Sequence, residues 1–111
     1  MFIAMNRFKV TRGREAEFEA LWRSRPSRIA HEPGFLAFNL LRGAERDDHT
    51  LYSSHTLWQS RGHFEAWTKS EAFRAAHAGA GGAKGLYLGH PEFEGFDTVA
   101  GLSLAVENVP A

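Results

Sequence analysis

Asn6 is a polar residue in an otherwise apolar stretch near the start of the chain. Residues two apart in a strand share a face, and on this spacing Asn6 lies in line with Phe2, Ala4, Phe8 and Val10. An amide among apolar neighbours costs about 1–3 kcal/mol unless its hydrogen bonds are satisfied. Either the amide bonds a nearby backbone group or a bulge, or it is a hydrogen-bond donor that faces a bound ligand.

Two further residues have types and positions that suit ligand binding. His77 follows Phe73 by one helical turn on a stripe rich in alanine, where small neighbours leave room for a flat ligand to approach the imidazole. A neutral imidazole can bind a metal through one ring nitrogen. The alternative is a histidine that interacts favourably with a helix C-terminus. Trp67 follows Phe64 on an apolar helical stripe, where a tryptophan is usually part of the core.

The composition excludes several classes of site. The chain has no cysteine, so disulfides, thiolate metal centres and thiol nucleophiles are ruled out. The formal net charge is zero and no basic stripe is present, so we expect no nucleic-acid partner. No segment approaches the roughly 20 consecutive apolar residues of a membrane span. We therefore expect no membrane segment and a cytoplasmic protein.

The elements that would position these residues follow from the change of hydrophobic period along the chain. We predict strands over 2–10, 35–42, 49–58 and 92–100, a helix over 14–30, and a second helix that Ser60 caps and that carries Phe64 and Trp67. Ser70 is predicted to cap a further helical turn. The strand over 35–42 is nearly all apolar, so we expect it to be buried on both faces.

This order, β-α-β-β-α-β, predicts an α+β fold of the ferredoxin-like type, with one antiparallel sheet and both helices on one face. We expect one domain over residues 1–100 and a tail over 101–111 that has no clear pattern. The helices leave the other face of the sheet uncovered. Since the strands are largely apolar, we expect two sheets to pair face to face in a homodimer.

Several segments resemble the IsdG-type haem-degrading monooxygenases, which belong to the antibiotic-biosynthesis-monooxygenase superfamily. The resemblance rests on AMNRFKV around Asn6, EPGFLAFNLLRG at 32–43, TLW at 56–58, FEAWTKSEAFRAAHAG at 64–79 and LYLGHPEFEGF at 86–96. It covers residues 1–100, and the stretch from Trp67 to His77 is its most specific part.

The resemblance implies a role for each matching residue. His77 would be the proximal ligand of the haem iron, and Asn6 would donate a hydrogen bond on the opposite side. Trp67 would press on the porphyrin and distort it, and Phe73 would contact it. Arg25 is a candidate partner for the propionates. Haem would be cofactor and substrate, opened with O₂ and electrons from an external donor in a dimeric α+β barrel.

Three other functions fit the same residues. A cofactor-independent monooxygenase that oxidises a quinol or an aromatic polyketide could use Asn6 and Trp67 in the same barrel. A non-catalytic haem-binding protein could use His77 as its iron ligand without turnover. In a dimeric domain without a ligand, Asn6 and His77 would be structural polar residues. A haem titration separates the first of these from haem degradation, and loss of haem absorbance with a reductant separates the second.

Overall fold

Four strands and two α-helices make up the part of the chain that the computed structural model describes, which is residues 1–24, 29–70, 73 and 85–104. In chain order they are β1 (Phe2–Thr11), α1 (Glu15–Ser24), β2 (Phe35–Glu45), β3 (His49–Trp58), α2 (Arg61–Thr68) and β4 (Tyr87–Asp97). A 3₁₀ turn at Ile29–His31 leads into β2. This order confirms the predicted α+β fold of the ferredoxin-like type.

The strands form one antiparallel sheet in the order β2-β3-β1-β4. β1 is therefore an inner strand, paired with β3 on one side and with β4 on the other. Asn6 lies opposite Ser54 of β3 and Phe93 of β4. This register places the amide near the middle of the sheet.

The prediction that β2 is buried on both faces is wrong. β2 lies at the edge of the sheet, and Leu36, Phe38 and Leu41 are each at least 40% exposed. An apolar run indicates burial on both faces only for an inner strand that is covered on both sides. The sequence shows the apolar run, but it does not show whether the strand lies inside the sheet or at its edge.

The last strand is Tyr87–Asp97, so it begins and ends earlier than the predicted strand over 92–100. Gly89, with φ of 65°, and Pro91 are typical of loops, which is why the pattern of this segment did not indicate a strand. In the structure the pairing of β1 with β4 shifts register between Arg7 and Lys9. The pairing skips Gly89 and Pro91 at this irregularity. An edge strand tolerates Pro91 there, because proline has no amide hydrogen to donate to a neighbouring strand.

The described part of the first helix ends at Ser24, whereas the predicted helix ran from 14 to 30. Residues 25–28 lie outside the described ranges, and the chain that follows them forms the 3₁₀ turn rather than an α-helix. The predicted residue Arg25 therefore has no structural description.

None of the helices in the described ranges has the length and apolar composition that a membrane span requires.

Both helices pack on one face of the sheet, where two apolar clusters form. α1 covers the first cluster, whose buried members are Phe8, Val10, Phe18, Tyr52 and Leu86. α2 covers the second, whose buried members are Phe2, Ala4 and Trp58, with Phe64 and Trp67 partly buried against them. Burial of each large side chain contributes about 1.5–3 kcal/mol, so these clusters fix the helices on the sheet.

The opposite face of the sheet, which we call the open face, carries a second set of apolar side chains. By the strand register it comprises Ile3, Met5, Leu41, Leu51, Leu57, Leu88 and Phe96. Leu41, Leu88 and Phe96 are between 39% and 44% exposed. Neither described helix packs on the open face.

Candidate functional site

A cavity of about 690 Å³, here called the aromatic cavity, lies on the helix-covered face of the sheet. Four of its lining residues are polar but uncharged, namely Asn6, Ser54, Thr56 and Thr68. The rest are apolar: Ala4, Trp22, Ile29, Ala30, Phe35, Phe38, Phe64, Trp67, Phe73, Pro91 and Phe93. Among the described residues, no charged side chain lines this cavity. Its volume and composition are those of a site for a mainly apolar small molecule.

Aromatic rings form much of the cavity wall. Trp67 and Phe73 meet nearly at right angles with 4.8 Å between ring centroids, and Phe64 and Phe93 are stacked at 5.6 Å. The buried ring of Trp58 lies 5.5 Å behind Trp67 and supports it. These contacts present flat apolar surfaces to a ligand.

The start of α2 is held by two local contacts. Ser60 caps the helix, because its hydroxyl accepts a hydrogen bond of 3.2 Å from the His63 backbone N–H, as predicted. Gly34, with φ of 81°, packs so closely that a Cβ there would lie 2.3 Å from Cγ of His63. The Pro33-Gly34 turn therefore fits against α2 only with glycine, and this contact fixes the position of Phe64 on the sheet.

The Asn6 side chain lies on the cavity wall and is partly buried. Among the residues that the structure describes, it makes no side-chain hydrogen bond, although the backbone of Asn6 is paired in the sheet. The described part of the chain thus does not support the alternative in which Asn6 bonds a neighbouring backbone group. The amide is available to a ligand, which could meet its hydrogen-bonding requirement.

The structure brings Asn6, Trp67 and Phe73 to one cavity although 61 positions separate Asn6 from Trp67 along the chain. Phe73 is positioned by Ser70, whose hydroxyl accepts a 3.1 Å hydrogen bond from the Phe73 backbone N–H, as the predicted cap requires. His77 and Arg25 lie outside the described residues, so their predicted roles remain predictions.

A second space of about 550 Å³, here called the α1–β2 groove, lies between helix α1 and edge strand β2. Its lining differs from that of the cavity because it includes Glu19, Arg23, Arg42 and Tyr52. The buried Tyr52 hydroxyl donates a 2.5 Å hydrogen bond to Glu19. Burial and this hydrogen bond raise the pKa of Tyr52 to about 12, and the same bond lowers the pKa of Glu19.

Trp22 and Phe38 line both spaces, and their rings are stacked with 5.8 Å between centroids. Sequence reasoning missed both residues as site residues. In the sequence, Trp22 is one residue of the predicted helix over 14–30, and Phe38 is one residue of the apolar strand predicted over 35–42. No local signal connects Glu19 with Tyr52, which follows it by 33 positions.

A comparison with family models places the chain in a known family. The model for the antibiotic biosynthesis monooxygenases matches residues 1–79. The chain therefore belongs to this family. Among curated proteins it is similar to a heme-degrading monooxygenase of Shouchella clausii, with 37% identity over 70 residues. That match covers 63% of this chain and just under two thirds of the relative, 64%.

Solved structures give two informative similarities. The heme-degrader MhuD from Mycobacterium tuberculosis, solved with two hemes bound in its active site, is 30% identical with a TM-score of 0.70. The match covers 93% of this chain and all of that chain. SnoaB, a cofactor-independent oxygenase from Streptomyces nogalater, is 27% identical with a TM-score of 0.63, over 91% of this chain and 95% of that one.

Proposed function

We propose that this protein binds haem in the aromatic cavity and opens the macrocycle with O₂ and electrons from an external donor, which releases the iron. The observation that carries this proposal is the Asn6 amide, which has no side-chain partner among the described residues and lies on the wall of a cavity otherwise formed mainly by aromatic and aliphatic groups. The names of the curated relative and of MhuD support haem as the substrate.

The cavity walls suit a flat, apolar macrocycle. The stacked pair of Phe64 and Phe93 and the ring of Trp67 offer surfaces that a porphyrin could contact face-on or edge-on. Trp67 would press against the macrocycle, because the buried ring of Trp58 lies behind it and prevents it from moving away. Phe73 would form the adjoining wall.

The two polar roles are assigned to opposite sides of the haem. Asn6 would donate a hydrogen bond on one side from its position at the centre of the sheet. His77 would bind the iron from the other side as a neutral imidazole, and this assignment rests on the sequence alone. The bound haem would supply the iron at which O₂ is used. The protein's part is to orient the macrocycle and to keep water from its reacting edge.

The similarity to SnoaB makes a cofactor-independent oxygenase the second candidate. The geometry of the cavity is compatible with a smaller aromatic substrate as well. Haem is favoured because the curated relative and MhuD both carry names that refer to heme degradation, and because MhuD shares more of its sequence with this chain than SnoaB does. We place the activity in the cytoplasm, where reducing cofactors can supply the electrons.

A homodimer is part of this proposal, and the open face supports it. Exposed apolar groups such as Leu41 and Phe96 would be covered if two sheets packed face to face. Replacing Leu41 with glutamate would place two charges in such an interface. We expect Leu41→Glu to run as a monomer in light scattering, whereas Leu104→Glu, on an apolar side chain that is 94% exposed outside the sheet, serves as the matched control.

The test of the proposed function is an absorbance titration of the apoprotein with hemin, with His77→Ala in parallel. We expect saturable binding at one haem per subunit in the wild type and an altered Soret band in the variant. Ascorbate in air, with catalase present, should then bleach the band. Binding without bleaching would indicate a haem carrier, and absence of a specific band would direct attention to quinols and other aromatic substrates.

A further inference from the structure

Strand β3 carries five buried residues with a hydroxyl group: Thr50, Tyr52, Ser53, Ser54 and Thr56. Four of these hydroxyls donate a hydrogen bond within the fold, at distances from 2.5 to 3.4 Å. Their acceptors are two carboxylates of α1 and two backbone carbonyls of the sheet. The exception is Ser54, which is 9% exposed and whose hydroxyl makes no hydrogen bond with any residue that the structure describes.

The neighbouring residue Ser53 shows that burial alone does not leave a hydroxyl without an acceptor. Ser53 and Ser54 are equally buried, at 8% and 9% exposure, but as neighbours in a strand they project from opposite faces of the sheet. Ser53, on the open face, donates to a backbone carbonyl at 3.0 Å. Ser54, on the helix-covered face, lines the aromatic cavity. The hydroxyl without an acceptor is therefore the one that a ligand in the cavity can reach.

Ser54 lies directly opposite Asn6 in the pairing of β3 with β1. Side chains paired in this way share a face, and their Cβ atoms are about 4.5–5.5 Å apart. Across the sheet the pair is flanked by apolar residues, Leu40 on β2 and Phe93 on β4. The sheet-side wall of the cavity thus carries an amide and a hydroxyl side by side, and within the described ranges neither has a side-chain partner.

An amide and a hydroxyl at this separation can bind the same small polar group. The side-chain amide nitrogen of Asn6 and the hydroxyl of Ser54 can both donate a hydrogen bond. Buried polar groups in folded proteins are nearly always hydrogen-bonded, and the penalty for leaving one unpaired is large. A ligand that presents an oxygen or nitrogen acceptor at this point of the wall would satisfy both side chains at once.

From this arrangement we infer that Ser54 is a second hydrogen-bonding residue of the site, which donates beside Asn6 to a small acceptor ligand at the sheet-side wall of the cavity. This inference rests on the proposed function and extends it, because it adds a residue that contacts the ligand itself. With haem bound, the pair would face the side opposite the predicted iron ligand His77. Ser54 then strengthens the binding of small acceptor ligands on that side without changing how tightly the macrocycle is held.

The experiment measures the affinity of azide for the ferric haem complexes of the wild type, Ser54→Ala and Ser53→Ala by absorbance titration. Ser54→Ala should weaken azide binding about threefold to tenfold, because one hydrogen bond is lost, and leave the affinity for hemin unchanged. Ser53→Ala is the matched control on the opposite face and should change neither affinity. Azide affinity that is unchanged in Ser54→Ala would overturn the inference while the proposed function stands. Absence of a specific Soret band in the wild type would overturn the proposed function, and the inference with it.

The double variant Asn6→Ala/Ser54→Ala distinguishes direct contact with the ligand from an effect that passes through Asn6. If Ser54 contacts the ligand, its removal should weaken azide binding by a similar factor whether or not the Asn6 amide is present. If the effect of Ser54→Ala disappears in the Asn6→Ala background, Ser54 only orients the amide, and the inferred contact is wrong.

Urea unfolding of the apoproteins gives a readout that does not depend on haem. Ser54→Ala removes a hydroxyl that has no acceptor in the described part of the fold, so the urea midpoint should not fall. Ser53→Ala should lower the midpoint, because it removes the hydrogen bond to the backbone carbonyl of Ser54. A fall in Ser54→Ala as large as that in Ser53→Ala would show that the fold itself uses the Ser54 hydroxyl, and would overturn the inference.

Discussion

The aromatic cavity and the α1–β2 groove lie on the same face of one sheet, yet their walls differ in chemistry. The described wall of the cavity is uncharged and its one amide, Asn6, has no side-chain partner there. In the groove, Tyr52, Glu19 and the arginines satisfy one another through hydrogen bonds and ion pairs. The comparison shows that uncharged and charged walls lie side by side on one face of the sheet, and that Trp22 and Phe38 line both spaces.

The two helices also differ in how deeply the aromatic rings beneath them are buried. Under α1, Phe18 is 1% exposed and its ring lies 4.9 Å from Tyr52 and 5.3 Å from Phe8. Under α2, Phe64 and Trp67 are only partly buried, so their rings still offer surface to a ligand. The α1 end thus stabilises the fold, and the α2 end retains surface for binding.

The largest effect should come from truncating Phe18, a fully buried ring under α1. Phe18→Ala removes a buried ring and leaves a void that its neighbours cannot fill, so we expect a loss of about 3–5 kcal/mol in the free energy of unfolding. Phe93→Ala removes a ring on the wall of the aromatic cavity that is 51% exposed. We expect Phe93→Ala to cost less than about 1 kcal/mol in stability while it weakens haem binding.

Urea unfolding followed by circular dichroism, together with a hemin titration, measures both quantities for each variant. Equal stability losses in the two variants would contradict the distinction between the fully buried ring under α1 and the partly exposed ring on the cavity wall. Haem affinity that is unchanged in Phe93→Ala would contradict the assignment of its ring to the binding wall.

A smaller effect is expected from Tyr52→Phe, which removes the hydroxyl that donates to Glu19. We expect a loss of about 1–2 kcal/mol at neutral pH, since a hydrogen bond to a charged group is lost. The pKa of Tyr52 is raised to about 12 in the folded protein, against 10.0 for an ordinary tyrosine. This contribution is therefore fully present below pH 10 and is lost as the pH rises toward 12.

The difference in unfolding free energy between wild type and Tyr52→Phe, measured by urea titration from pH 8 upward, checks the sign. The gap should narrow once the pH exceeds about 10, because Tyr52 then ionises in the unfolded wild type while it stays protonated in the folded protein, and Tyr52→Phe has no such group. A gap that stays constant through this range would show that the hydroxyl does not hold its proton more tightly in the folded state.

The smallest change in stability should follow from Asn6→Leu. The amide has no side-chain partner in the described part of the chain and the cavity around it is mainly apolar, so we expect stability to stay within about 0.5 kcal/mol of the wild type. Haem turnover should nevertheless fall at least about tenfold, since one hydrogen bond at the reacting side is removed. A marked loss of stability would indicate a structural role for Asn6 instead.

The sequence predicted those parts of the fold that depend on local pattern. The third strand was predicted over 49–58, the bounds that it has in the structure, and both Ser60 and Ser70 act as the predicted caps. The alternation in β1 placed Asn6 on the same face as Phe8, and the structure agrees. Short-range periodicity and capping chemistry determine all of these features.

What the sequence did not predict depends on how distant segments meet. The edge position of β2 follows from sheet order, which the apolar run in that strand does not encode. The bulge that admits Gly89 and Pro91 into β4 depends on the pairing with β1. The groove likewise requires Glu19 of α1 to reach Tyr52 of β3, and this contact exists only once α1 has packed on the sheet.

The most direct test of the central claim is the release of iron from the haem-loaded protein in air with ascorbate and catalase, followed with a ferrous-iron chelator. Free hemin in the same buffer and the Asn6→Leu complex serve as references. The account predicts that the wild type loses its Soret band and releases one iron per subunit, faster than either reference. A Soret band that persists, with no more iron released than from free hemin, would contradict it.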